Sequence, residues 1–133
     1  MKKVICFGSF DILHEGHKHF FKEAKSYGDY LIVVVARNYN IEKFKSKTPK
    51  NDETFRLEQI KNLDFVDEVL LGDNKDIFNP IEDKKPDVIC LGYDQKTIDE
   101  EKLKQELEKR NLNIKIIRAK PFKPEIYKSS KLK

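Results

Sequence analysis

The sequence has little of what marks a membrane-spanning or a disulfide-rich protein. No apolar run approaches the ~20 residues that cross a bilayer, and the run after Met1-Lys2-Lys3 is too short for the core of a signal peptide. The two cysteines, Cys6 and Cys90, both lie inside apolar runs, where a reduced thiol behaves as a small hydrophobic residue. We therefore expect free thiols, a cytoplasmic location and no membrane partner.

An excess of charge of one sign is also missing. The 133 residues include 27 Lys and Arg against 23 Asp and Glu, a net charge of +4, and the two signs are interspersed along the chain. Nucleic-acid-binding proteins usually carry basic blocks, so we expect no nucleic-acid partner. The length suits one compact domain, and a hydrophobic share of 38% is enough for a core.

Short β-branched runs alternate regularly with longer amphipathic ones. This alternation predicts a parallel sheet with crossover helices, in the order βαβαβαβαβ. The predicted strands are 3–7, 30–36, 68–71, 87–91 and 113–118. The predicted helices are 16–27, a segment that follows a cap at position 52, a short one near 77–83, and 100–110. The long polar stretch 37–51 is predicted to be an exposed loop or a poorly formed helix.

Four of these elements allow more detailed predictions. The second strand has the strongest strand composition, and we expect it to be central in the sheet. The first helix should bury one face and stop at Gly28. The helix capped by Asp52 should run through an apolar series, and the last helix should face inward with two leucines. The expected inward residues are Phe20, Phe21 and Ala24, then Phe55, Leu57, Ile60 and Leu63, then Leu103 and Leu107.

The segment from Gly8 to His17 follows the first predicted strand directly and reads Gly-Ser-Phe-Asp-Ile-Leu-His-Glu-Gly-His. Ligands of parallel α/β sheets bind at the carboxyl ends of strands, and this turn lies at such an end and opens into a helix. Gly8 permits a tight turn, and the start of a helix favours an anion. His14 and His17 face the same side if helical, so the segment indicates phosphate binding.

On the residues alone, other interpretations of the segment stay open. His14 and His17 could be surface polar residues, or could form a zinc site with His19. Asp11 could cap the turn or the helix through its carboxylate.

The basic residues further along the chain also have a second interpretation. Lys43 and Lys45 could belong to an ordinary solvated run. Arg56 could pair with Glu53 or Glu58 on its own helix.

The pattern G-x-F-D-x-x-H-x-G-H resembles the signature of the cytidylyltransferase-like nucleotidyltransferases. These enzymes move a nucleoside monophosphate from a nucleoside triphosphate to an acceptor phosphate. The pattern specifies six of ten positions and follows a strand, as the family requires. Similar segments extend over nearly the whole chain: Lys43-Phe44-Lys45, Arg56, Phe65 to Val69, Gly92-Tyr93-Asp94, and Ser129 to Leu132. The resemblance implies an α/β fold with a Rossmann-like, doubly wound, five-stranded parallel sheet in a single domain.

The resemblance also implies how such a site works. The acceptor is a phosphate monoester with a second pKa of about 6, so it is mostly dianionic at pH 7 and needs no general base. By resemblance, His14, His17 and Lys45 stabilise the transferring group, and Lys43, Lys45 and Arg56 bind the acceptor. The implied nucleotide-binding residues are Gly8, Ser9, Phe10, Asp11, His14, Glu15, Gly16, His17, Gly92, Asp94, Tyr127, Ser129 and Ser130. The implied cofactor is Mg²⁺ or another hard divalent cation, held mainly by substrate phosphates rather than by protein ligands.

The substrates are predicted from finer likenesses. Leu91 to Gln95 and Asp99 to Leu112 resemble the archaeal-type FMN adenylyltransferases, although Pro124 to Lys128 stands where those enzymes usually have a cysteine pair. Glycerol-3-phosphate cytidylyltransferases share the short length and the lysine pair. They usually carry an arginine where this chain has Lys123, and a tryptophan where it has Gln95. We therefore predict ATP and FMN as substrates.

Two alternatives to that prediction remain. The first is CTP with glycerol 3-phosphate, and the second is a non-catalytic nucleotide-binding module. Family members are often dimers, so a homodimer is also an expectation of the resemblance.

Overall fold

The described part of the chain alternates strands and helices in the predicted order. The computed structural model describes residues 1–8, 10, 15–37, 52–72, 78–92 and 99–120. The strands are β1 (Lys3–Gly8), β2 (Tyr30–Val35), β3 (Glu68–Leu71), β4 (Val88–Leu91) and β5 (Lys115–Arg118). The helices are α1 (Glu15–Ser26), α2 (Glu53–Lys61), α3 (Asn79–Lys84) and α4 (Glu100–Lys109). The polar stretch 38–51 lies outside the described residues.

The five strands form one all-parallel sheet in the order β3-β2-β1-β4-β5. The prediction that β2 is central was wrong by one place, because β1 is the middle strand and β2 lies beside it. From β1 the chain winds outward through β2 and β3, then crosses to the other side for β4 and β5. The carboxyl ends of β1 and β4 therefore flank the point where the winding reverses, the place where doubly wound sheets bind ligands.

Alternate residues of each strand point to opposite faces of the sheet, and each face is covered by two helices. The face that packs on α1 and α2 we call the aromatic layer; the face that packs on α3 and α4 we call the aliphatic layer. The buried residues of the aromatic layer are Val4, Cys6, Phe10, Phe21, Ala24, Leu31, Val33, Val35, Ile60, Val88, Cys90 and Ala119. Those of the aliphatic layer are Ile5, Ile32, Val34, Ile81, Ile89, Leu91, Leu103 and Leu107.

The helix predictions are confirmed at their ends and partly wrong in their faces. Asp52 caps α2 by accepting a hydrogen bond from the Thr54 N–H at 3.3 Å. Phe55 was expected to face inward, but it is 51% exposed, whereas the next residue, Arg56, is 1% exposed. Leu57, Ile60 and Leu63 face the core as predicted, and Arg56 takes the buried place predicted for Phe55.

The predicted free thiols are confirmed. Cys6 of β1 pairs in register with Cys90 of β4, and both thiols are free and buried in the aromatic layer. Burial raises the pKa of Cys6 well above its ordinary value and that of Cys90 to about 12. Both thiols are therefore protonated at neutral pH, and neither is suited to act as a nucleophile.

Among the described helices, none combines the length and the apolar character that crossing a membrane requires.

Candidate nucleotide site

The candidate site begins where β1 ends. Gly8 is the last residue of β1, and its carbonyl accepts a hydrogen bond from the Ala36 N–H at 2.9 Å. A Cβ added to Gly8 would lie 2.5 Å from Cζ of the Phe10 ring, so a larger residue there would displace the ring. Phe10 has a φ of 50°, in the left-handed region, and is only 6% exposed. The glycine thus allows the chain to fold a phenylalanine ring back onto the end of the strand.

The first turn of α1 carries three of the predicted nucleotide-binding residues, Glu15, Gly16 and His17. The His17 ring stands perpendicular to the Phe10 ring, with 5.3 Å between the ring centroids, and its Nδ1 atom is buried. Glu15 is exposed, as suits an acidic side chain in the first turn of a helix. The described half of the motif therefore lies at the helix N-terminus that the sequence predicts.

The second predicted segment, at Gly92, lies across the reversal point from Gly8. Both glycines are two residues beyond the Cys6–Cys90 pair, one following along β1 and the other just after β4. The Gly92 carbonyl accepts a 2.7 Å hydrogen bond from Nη1 of Arg118, and Nη2 of Arg118 lies 3.1 Å from a Glu100 carboxylate oxygen. The end of β4 is thus fastened to β5 and to the first turn of α4.

Arginine hydrogen bonds also hold the strand ends on the other side of the reversal point, at β2 and β3. Arg37, just after β2, donates from Nε to the Gly72 carbonyl at 2.8 Å and from Nη1 to a Glu53 carboxylate oxygen at 3.1 Å. Arg56 of α2 reaches the same region and donates from Nη1 to the Ala36 carbonyl at 2.8 Å. Arginine side chains therefore satisfy backbone carbonyls at the carboxyl edge on both sides of the reversal point.

None of these arginine contacts was predicted; for Arg56 the resemblance implied acceptor binding, which stays a prediction. What the structure gives Arg56 is a buried position and a bond to the Ala36 carbonyl. The sequence signal for Arg37 and Arg118 is weak in form. Each arginine stands at or just after the end of an apolar strand, and a glutamate begins a neighbouring helix. That signal is weak because the partners are 16 and 18 residues away along the chain.

The other predicted site residues lie outside the described part of the chain. They are Ser9, Asp11, His14, Lys43, Lys45, Asp94, Tyr127, Ser129 and Ser130. Within the described ranges, no three His, Cys, Asp or Glu side chains come close enough to hold a metal ion. The described residues thus supply the end of β1 and the start of α1. On each side of the reversal point, they also supply strand ends that are held by arginine hydrogen bonds.

Comparison with known proteins supplies the family. A model of the family described as cytidylyltransferase-like matches residues 5–133. The chain belongs to this family. The family assignment made from the Gly8–His17 motif is confirmed.

Curated relatives of this cytidylyltransferase-like chain carry the name FAD synthase. The one from Ferroglobus placidus is 52% identical over 120 residues, which are 90% of this chain and 77% of that protein. The one from Methanohalophilus mahii is 41% identical across 99% of this chain and 92% of that protein. The similarity thus extends over almost all of the chain and is not limited to the motif.

Solved structures confirm the fold. The lipopolysaccharide core biosynthesis protein from Thermoplasma volcanium is similar, with a TM-score of 0.85, 43% identity and coverage of 92% of this chain and 98% of that one. Pantoate-beta-alanine ligase from Francisella tularensis has a TM-score of 0.63 at 20% identity, covering 89% of this chain and 58% of that one. At that identity the second likeness concerns the fold alone. The predicted Rossmann-like, doubly wound architecture is therefore confirmed.

Proposed function

We propose that the protein is an FMN adenylyltransferase, which transfers AMP from ATP to FMN and so forms FAD and pyrophosphate. One observation carries this proposal: a protein named FAD synthase is 52% identical to the chain over 90% of its length. The geometry agrees with it, because the motif that follows β1 opens into α1 at the reversal point of the sheet.

The reaction requires two things of the protein: alignment of the two substrates and stabilisation of negative charge. An oxygen of the FMN phosphate attacks the α-phosphorus of ATP, the bond from that phosphorus to the bridging oxygen breaks, and pyrophosphate leaves. The attacking phosphate is mostly dianionic at pH 7 because its second pKa is about 6, so no base is needed. The protein must then hold the two phosphates in line and stabilise the negative charge of the transferring group.

We assign that stabilisation to His17, together with His14 and Lys45. His17 lies in the first turn of α1, where the helix dipole and the unsatisfied N–H groups also favour an anion. In the same proposal, Lys43, Lys45 and Arg56 bind the acceptor. The nucleotide contacts Gly8, Gly92 and the other motif residues named above. Because Arg56 is buried against the Ala36 carbonyl, its proposed role requires that the acceptor phosphate approach the carboxyl end of β2.

The metal belongs to the substrate in this proposal. Mg²⁺ would be held mainly by the phosphates of the triphosphate and not by side chains of the protein. When bound, it supplies positive charge to the leaving pyrophosphate. A cytoplasmic location and a homodimer complete the proposal, and light scattering coupled to size-exclusion chromatography measures the second.

The deciding experiment is pyrophosphate release with Mg²⁺ over a grid of donors and acceptors. ATP and CTP are each combined with FMN, with glycerol 3-phosphate or with no acceptor. His17→Ala tests the site, and His19→Ala is its matched control, because His19 is on the same helix and has no role in the proposal. We expect turnover with ATP and FMN only, lowered about 10²- to 10⁴-fold in His17→Ala and unchanged in His19→Ala.

Three outcomes would reject the proposal. Turnover with CTP and glycerol 3-phosphate would make the protein a cytidylyltransferase. ATP binding without turnover on any acceptor of the grid would support the non-catalytic nucleotide-binding module. Equal loss of activity in the two histidine variants would remove His17 from the catalytic residues.

A further inference from the structure

The side chain of Phe10 occupies an unusual place for a residue in a nucleotide-binding turn. The resemblance places Phe10 among the nucleotide-binding residues, yet it is only 6% exposed and belongs to the aromatic layer. Its φ of 50° is a left-handed conformation that bulky residues rarely adopt. Such a conformation persists only where the surrounding structure determines it strongly, and it concentrates at functional sites.

The ring lies between the end of β1 and α1. On one side, its Cζ, Cε1 and Cε2 atoms would come within 2.5 to 2.9 Å of a Cβ on Gly8, so the ring rests on the bare glycine backbone. On the other side lies Phe21 of α1, with 4.9 Å between ring centroids and planes inclined by 64°. The ring is therefore held by the strand and by the helix, and does not depend on a substrate for its position.

The third neighbour of the ring is the His17 imidazole. The two planes are perpendicular and the centroids are 5.3 Å apart, which is the edge arrangement that aromatic pairs prefer. The Nδ1 atom of His17 is buried, so one edge of the imidazole is enclosed by protein. A fixed ring packed at a right angle limits rotation of the imidazole about its own side-chain bonds.

From this geometry we propose that the Phe10 side chain is a positioning residue for His17. Its ring holds the imidazole in the orientation in which it meets the triphosphate, whereas the nucleotide contact proposed for Phe10 is made by its backbone. The proposal rests on the proposed function, because it assigns His17 to the transferring phosphate. It also gives a reason for three features at once: a glycine at position 8, a strained backbone at position 10, and a ring at that position.

The test compares Phe10→Leu with Phe65→Leu. Leucine keeps an apolar side chain at position 10 but removes the ring, whereas tyrosine would place a hydroxyl at Cζ, against Gly8. Phe65 is the matched control, because its ring packs against the same layer and lies 6.5 Å from Phe21. We expect Phe10→Leu to lower kcat by about 10- to 100-fold with KM for both substrates changed less than about 3-fold, as for a small misplacement of a catalytic group. Phe65→Leu should leave kcat unchanged.

A double-mutant cycle shows whether Phe10 acts through His17. If it does, adding Phe10→Leu to His17→Ala should lower the residual kcat by less than about 2-fold, because the group being positioned is already gone. A further loss equal to that of Phe10→Leu alone would overturn the proposal. So would an equal loss of kcat in Phe10→Leu and Phe65→Leu.

A spectroscopic measurement keeps this proposal separate from the proposed function. The imidazole C–H signals of His17, assigned by their loss in His17→Ala, should move in Phe10→Leu and stay in place in Phe65→Leu, since the ring current of Phe10 is removed only in the first. Unchanged signals would overturn the contact whatever the activity.

If no substrate pair of the grid is turned over, the proposed function fails. The cycle is then measured on the Kd for ATP, and additive changes there overturn the positioning role. If Phe10→Leu does not fold, Phe10→Met replaces it in each arm.

Discussion

The two layers that cover the sheet are packed in different ways. In the aliphatic layer every buried residue is Ile, Leu or Val, and the helices enter it through Ile81, Leu103 and Leu107. In the aromatic layer small residues on the strands and helix, such as Cys6, Cys90 and Ala24, make room for the rings of Phe10 and Phe21. Partly buried rings pack against both layers, Phe20, Tyr27 and Phe65 against the aromatic one and Phe7, Tyr30 and Phe78 against the aliphatic one, so the layers differ in their fully buried residues.

The difference follows what each layer has to hold. Branched aliphatic side chains fill the space between a sheet and two helices without leaving a polar group to satisfy. A flat ring spans more distance and offers a defined face and edge, so it can fix a neighbour in one orientation. Phe10 does this between the end of β1 and His17, which connects the aromatic layer to the candidate site.

The largest effect on stability that would test this comparison is expected from a cavity made in the aliphatic layer. Leu103 of α4 is 1% exposed, so Leu103→Ala should lower the free energy of unfolding by ~2–5 kcal/mol. Because the cavity lies on the face away from His17, kcat of the folded fraction should not change. Urea unfolding measures the first quantity and steady-state kinetics below the transition the second. Gln105→Ala, at an exposed position of α4, is the control, and a kcat lowered by Leu103→Ala would contradict the separation of the layers.

A second effect concerns the buried thiols of the aromatic layer. Burial raises the pKa of Cys6 and Cys90 in the folded state, so unfolding releases protons once the pH exceeds the ordinary thiol value of ~8.5. This contribution to stability is complete below that pH, and it is lost progressively as the pH rises toward the folded values.

Urea unfolding between pH 7 and pH 10 measures the expected decline. Cys6→Ala/Cys90→Ala is the control, and it should flatten the part of the decline that the thiols cause. A thiol reagent at pH 8 should label neither cysteine until urea is added. Labelling of the native protein would show that the pair is accessible.

A smaller effect is expected at the rim of the aromatic layer. The Glu23 carboxylate accepts hydrogen bonds from the Tyr27 hydroxyl at 2.6 Å and from the Lys120 N–H at 3.1 and 3.2 Å. It thus ties α1 to the residue that follows Ala119, and its hydrogen bond is the main cause that raises the pKa of Tyr27 to about 12. Glu23→Gln should lower the free energy of unfolding by ~0.5–1.5 kcal/mol and return the Tyr27 pKa toward its ordinary value.

Tyrosinate absorbance between pH 8 and pH 13 measures that pKa. Because the chain has five tyrosines, the Tyr27 signal is the difference between each protein and its Tyr27→Phe counterpart. An unchanged Tyr27 pKa in Glu23→Gln would mean that the hydrogen bond does not form in solution.

The smallest effect is expected outside both layers. Phe55 is 51% exposed on α2, so Phe55→Ser should change the free energy of unfolding by less than ~0.5 kcal/mol. Phe21→Ser, at a fully buried position of α1, is the contrast and should unfold the protein at much lower urea. A loss above ~1 kcal/mol that grows with protein concentration would show that a second copy covers Phe55.

The order and type of the elements could be predicted because each depends on residues close in sequence. Strands covered on both faces read as apolar runs, and caps such as Asp52 and Asp99 mark helix starts locally. The motif at the end of β1 could be found for the same reason. The middle place of β1 could not, since it depends on where each crossover carries the chain and not on the composition of a strand.

The positions of Phe55, Arg56 and Phe10, which the sequence did not predict, share one physical cause. Each residue was interpreted from its type, and its real place depends on a partner that another element supplies. Arg56 can be buried because the Ala36 carbonyl at the end of β2 accepts its hydrogen bond, and this turns Phe55 outward. Phe10 enters the core because Gly8 has no side chain and Phe21 lies opposite.

By itself, the sequence determined the α/β class, the sequence of strands and helices, the buried thiols, and a motif specific enough to identify the family. The tertiary structure decided the rest. It made β1 central, and it fastened the strand ends through Arg37 and Arg118 to carbonyls 35 and 26 residues away. It also set the Phe10 ring at a right angle to His17. Periodicity and capping act over one or two turns of chain, whereas burial, satisfied carbonyls and ring packing depend on distant residues that meet only in the folded protein.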